Sequence, residues 1–166
     1  MAYEALEKYA PHADLVELGE NHESYFRFLS DMWAIGETFL NIEQDIEIHE
    51  EVVPQLESCP EPWCAFGYFY GYPIKDTGQI GILYKALGCT KFSAELMQAV
   101  PDLMTDLPVK HWRRIDSEML PSLVKLGYEV HVHKPPVSQH HVYGTRCSCL
   151  REHEAYPIDN EGRYSP

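Results

Sequence analysis

Apolar residues recur at helical spacing in two long stretches of the chain. From His22 to Ile35, the side chains of Tyr25, Phe26, Phe28, Leu29, Met32 and Trp33 fall on one face. Asn21 stands where a cap belongs, and Gly36 follows as a stop. A second stripe runs through Trp112, Ile115, Met119, Leu120, Leu123, Val124 and Leu126 and ends at Gly127. Both patterns predict amphipathic helices. Shorter helices are predicted at 4–9, at 50–56 and within 92–104, the last with Thr90 or Ser93 as cap and Pro101 as interruption. Strand signals fall between them. Leu15–Leu18 reads as a brief strand closed by Gly19, Thr38–Ile42 as a buried strand, and the aromatic run Trp63–Tyr70 as another. Tyr128–His133 alternates, which points His131 and His133 the same way, and Pro135-Pro136 is expected to end it. Ile80–Leu87 is apolar without a period that chooses between helix and strand.

Helices and strands in this order predict an α/β fold, a mixed sheet flanked by helices in a three-layer-like arrangement. Residues 1–144 are read as one such domain and 145–166 as a polar, aperiodic C-terminal tail. A length of 166 residues supports one core rather than two. A hydrophobic share of 45% fits a packed domain, and no apolar run approaches the ~20 residues that span a bilayer, so no membrane partner is expected. The N-terminal stretch is charged and lacks an apolar signal core, which makes the cytoplasm the expected compartment. A formal net charge of −13 argues against duplex nucleic acid as a partner and leaves room for an anionic nucleotide bound through a metal.

The candidate chemistry begins where the strand at 38–42 runs into Glu43-Gln44-Asp45. Two carboxylates two residues apart at a strand end share one side of the backbone and can hold a divalent cation. His131, His133 and His140, with His141 beside it, are imidazole donors of the kind that complete such a site. With one histidine joining Asp45 the expected ion is Mn2+ or Mg2+; a purely histidine set would take Zn2+. Asp116, near the start of the late helix, is a candidate general base held ionised by the helix dipole. Arg113 and Arg114 beside it are candidates for a phosphate, and so is Lys91 in the glycine turn Gly88–Phe92, which is read as leading into a helix. The five cysteines form an odd count, read mainly as reduced thiols. Alternatives are a Cys59–Cys64 disulfide or a zinc site adding Cys147 and Cys149. Glycine-rich dinucleotide loops, phosphate-binding loops and nucleophile elbows are absent from the sequence.

With these residues in hand, the chain resembles glycosyltransferase-like proteins of the GT-A fold, in particular the short versions found in bacteriophage genomes. Glu43-Gln44-Asp45 is similar to the Asp-x-Asp metal step at the end of a central strand, and Leu87–Phe92 to the acceptor-side segment. His111–Asp116 resembles the motif that provides a base in inverting members, and His131, His133 and His140 the late histidines that complete the cation site. The resemblance covers about Tyr9 to Tyr143 and implies a truncated GT-A fold. It implies a sugar moved from a nucleotide-sugar donor to an acceptor of unspecified nature, with Mn2+ or Mg2+ as cofactor, in the host cytoplasm if the protein is phage-encoded. Only 42 residues precede Glu43, so the opening strand that holds the nucleotide base is expected to be missing. An uncovered sheet edge of that kind makes a homodimer an expectation. The competing classes are a non-catalytic binding or structural relative, and a zinc hydrolase built on His131, His133 and His140 with Glu43 or Asp45 as base.

Overall fold

The computed structural model describes residues 2–19, 21–73, 80–84, 87–108, 110–111, 114–139, 142–143 and 146–147. Expectations at Trp112, Arg113, His140, His141 and Cys149 lie outside them. The described chain runs α1 (Ala2–Tyr9), α2 (Ser24–Ile35), β1 (Phe39–Ile42), β2 (Ile46–Glu47), α3 (Val52–Ser58), β3 (Trp63–Pro73), β4 (Ile80–Tyr84) and β5 (Cys89–Phe92). It continues through α4 (Ala94–Ala99), α5 (Leu103–Asp106), α6 (Ile115–Lys125), β6 (His131–Gln139), β7 (Val142–Tyr143) and β8 (Arg146–Cys147).

This is an α/β fold around a mixed sheet of order β1-β5-β3-β6-β2, with β4 paired to the later part of β3. The pairings of β1 with β5, β3 with β5, and β2 with β6 are antiparallel, while β3 and β6 run parallel. Alternation along the strands divides the core between two faces. Trp63 and Phe92 join Phe26, Leu29, Trp33, Ile115, Met119 and Leu123 in one cluster. Cys64, Phe66, Tyr68 and Cys89 join Ile46, Val52 and Leu56 in the other. Helices therefore cover both faces, each large buried apolar side chain contributing about 1.5–3 kcal/mol.

The two long helices end as their glycines dictate. Gly36 and Gly127 adopt positive φ (71° and 90°), the left-handed conformation that releases a helix end without a Cβ penalty. Asn21 does not cap α2 directly, since the N-cap residue is Glu23; its Oδ1 accepts from the Glu23 backbone N–H at 3.0 Å. Ser93 caps α4 through Oγ and the Leu96 N–H (3.2 Å), and the chain breaks at 100–102 before α5.

Four strand expectations change. Leu15–Leu18 is irregular and its apolar side chains are exposed, because it pairs with no strand among the described residues. Gly88–Phe92 leads into strand β5 rather than directly into a helix, held between β1 and β3 with all four strand residues buried. Pro135-Pro136 lies inside β6. Its register against β3 slips between Phe66↔His133 and Tyr68↔Val137, so the prolines fall where regular ladder N–H groups are not required. The strand at Phe39–Ile42 forms, but at one end of the sheet path and mostly half-buried, where a central buried strand was expected. In addition, Ile80–Tyr84 is a strand, and β7 pairs antiparallel with β8.

Candidate functional site

The acidic step is built by the end of β1. Past Ile42 the chain turns, with the Glu43 N–H donating to the Gly88 carbonyl (2.8 Å) and the Ile46 N–H donating back to the Glu43 carbonyl (3.0 Å). These two bonds fix the backbone on either side of Glu43 and Asp45. Asn41, the polar residue within β1, is buried. Its amide donates to the Leu87 carbonyl (2.6 Å) and to the Tyr25 hydroxyl (2.8 Å). That leaves the Tyr25 hydroxyl to donate to the Glu43 carboxylate. Asp45 is held from the other side, accepting from the Gln139 amide at 3.2 Å through the β2–β6 pairing.

Asp116 enters this neighbourhood from the first turn of α6. Glu43 therefore shares its surroundings with two further carboxylates. Burial is the main cause that pushes its carboxyl up from the usual range, to about 7; the Tyr25 hydrogen bond opposes the rise, and the charges of Asp116 and Asp45 add to it. Burial beside Glu43 and Asp116 also holds the Tyr25 hydroxyl well above its ordinary value. The charges of Asp45 and Asp116 acting on a buried Glu43 cost stability unless a proton or a cation offsets their repulsion.

The histidines take a different position. His131 lies opposite Cys64 and His133 opposite Phe66 in the β3–β6 ladder, while Gln139, which holds Asp45, lies at the far end of β6. Gln139 lies six residues beyond His133 in β6, with the register slip against β3 between them. Among the described residues, His133 is grouped with two cysteines and not with these carboxylates. Among the described residues, the three metal-ligating side chains whose donor atoms all fall within 4.8 Å of one another are Cys59, Cys64 and His133. His133 stacks on Phe66 (5.1 Å between ring centroids), and the exposed His131 ring meets it edge-on at 4.8 Å. Burial, then the neighbouring His131 and Lys91, lower the His133 imidazole below its usual range.

Lys91 also belongs to this second group. It is buried in β5 opposite Cys64, and its ammonium donates to the Cys59 carbonyl, so it does not lie at a helix start awaiting an anion. Burial pushes the Cys64 thiol up to about 12, reinforced by its hydrogen bond with Cys59 and opposed by Lys91. Arg114 is exposed at the start of α6 and engaged with Glu118 at 2.7 Å.

Glu43, Asp45 and Asp116 were legible in the sequence, but Tyr25 and Gln139, which hold Glu43 and Asp45, were not. Tyr25 read as part of an apolar stripe. The available signal was Asn41, a polar side chain inside an otherwise strand-forming run. No family model matches this chain and no curated protein matches it. Among the described residues, no helix is long and apolar enough to cross a membrane.

Proposed function

We propose that the chain is a metal-dependent transferase that moves a sugar from a nucleotide-sugar donor to an acceptor, with Glu43, Asp45 and Asp116 as its working carboxylates. The observation that carries this reading is the approach of Asp116, on α6, to the acidic turn that follows β1. The donor set is hard oxygen, which suits Mn2+ or Mg2+, ions usually bound by one or two carboxylates with the remaining positions left to waters and substrate phosphates. Glu43 and Asp45 would hold the ion, and its charge would offset that of the leaving nucleotide. Asp116 would accept the proton of the acceptor hydroxyl. Tyr25, Asn41 and Gln139 position Glu43 and Asp45 through the hydrogen bonds described above.

The place of β1 at one end of the sheet path departs from the central strand of the GT-A pattern, and the reading takes it together with the expected missing strand. In the described residues β1 pairs with β5 on one edge and with nothing on the other. A sheet lacking the neighbouring nucleotide-binding strand would present such an edge, and either a second copy or a further segment would fit it. The test is nucleotide release from a panel of nucleotide-sugars with Mn2+. Turnover of one donor class is expected, reduced about 10²–10⁴-fold in Asp116→Asn with ion binding retained, and abolished together with ion binding in Asp45→Asn. A panel without turnover, or an Asp45→Asn variant as active as the parent, would overturn the proposal.

A further inference from the structure

We propose that Cys59, Cys64 and His133 form a zinc site, separate from the carboxylates assigned to transfer. The three ligands come from different elements: Cys59 is the residue that ends α3, Cys64 lies in β3 and His133 in β6. Their donor atoms lie within 4.8 Å of one another. A tetrahedral zinc shell with bonds of about 2.0–2.3 Å sets ligand atoms roughly 3.5–4 Å apart, so closure needs shifts of about 1 Å or less. Two thiols and an imidazole are the donors that Zn2+ takes in preference to Mn2+ or Mg2+. The two groups of residues thus select different metals.

The surroundings favour a bound cation in three ways. The His133 Nε2 atom is buried and has no hydrogen-bond partner among the described residues, a cost that a metal bond removes. Its ring is already oriented by the stack on Phe66. Two thiolates cancel the charge of the ion, so the filled site is neutral and brings no net repulsion to the buried Lys91 ammonium. Lys91 in turn ties down the Cys59 carbonyl and so fixes the backbone of one ligand. Three protein donors leave a fourth position, the pattern of zinc sites that keep a water or an exchangeable ligand.

Metal analysis of the reduced, full-length protein tests this, with Co2+ as a spectroscopic substitute after chelation. One zinc per chain is expected. The cobalt form should show thiolate-to-metal charge-transfer absorption, lost in Cys59→Ser and in His133→Asn while the far-ultraviolet circular dichroism stays unchanged. Asp45→Asn should keep the band, which separates this site from the proposed transfer site. Absence of the band in the reduced parent protein would overturn the proposal, as would its survival in both ligand variants. A Cys59–Cys64 disulfide that, once reduced, still yields no band would do the same. The parent titration decides the matter even if a variant fails to fold.

Discussion

Replacing Glu43 by Gln removes an ionisable group whose surroundings disfavour its charge, and the consequence for stability can be worked through. In the unfolded chain the carboxyl titrates near 4.5, whereas in the folded protein burial and the charges of Asp116 and Asp45 raise it to about 7. Folding therefore favours the protonated form. The stability that this preference contributes is fully present below about pH 4.5 and is lost as the pH rises through the folded value of about 7. At about 1.4 kcal/mol per pH unit, the loss between these limits comes to about 3 kcal/mol, an order-of-magnitude figure. The Gln variant keeps the shape and a hydrogen-bonding oxygen for Tyr25 without the titration. Urea unfolding in the presence of a chelator, at pH 5, 6, 7 and 8, should show the variant gaining on the parent steadily with pH. Near pH 5 the two should be close, and at pH 8 the variant should be ahead by about 2–3 kcal/mol. Parallel pH profiles for the two proteins would refute the reasoning, since they would mean that Glu43 feels neither the burial nor the neighbouring charges.

Asn41→Ala removes the amide that bonds the Leu87 carbonyl and the Tyr25 hydroxyl; a loss of about 1–3 kcal/mol is expected in urea unfolding, along with weaker Mn2+ binding as Glu43 loses its anchor. Gly88→Ala would place a Cβ 2.8 Å from the buried Tyr68 ring, so overpacking should cost about 1–3 kcal/mol, readable as a lowered Tm. Arg114→Ala breaks an exposed pair with Glu118 and should change stability by less than about 1 kcal/mol, measured by the same unfolding assay.

The long helices were legible because stripe and stop agreed, as at Tyr25–Trp33 followed by Gly36. Strand β1 and its acidic exit were legible for the same reason: an apolar run meets a sudden change to carboxylates. What the sequence hid was partnership. Leu15–Leu18 has strand-forming residues but no strand beside it, while Cys89–Phe92 looked like a turn into a helix until β1 and β3 supplied ladders on both sides. Pro135-Pro136 reads as a stop, and only the slipped register of β6 against β3 makes room for it. The site divided for the same cause. Glu43, Asp45 and Asp116 could each be picked out singly, but grouping His133 with the carboxylates required knowing that β6 carries it toward Cys64 and away from Asp45. Cysteine spacing likewise leaves the pairing of Cys59 and Cys64 open, and it takes the cap of α3 to bring them together.

The acidic turn after β1 is proposed to bind a divalent cation together with a nucleotide-sugar. Calorimetric titration of the protein with a panel of nucleotide-sugars, with and without Mn2+, tests it most directly. One donor class should bind only when Mn2+ is present, and Asp45→Asn should lose this binding while keeping the parent's circular dichroism. Binding of a nucleotide-sugar that ignores Mn2+, or no binding by any donor in its presence, would contradict it.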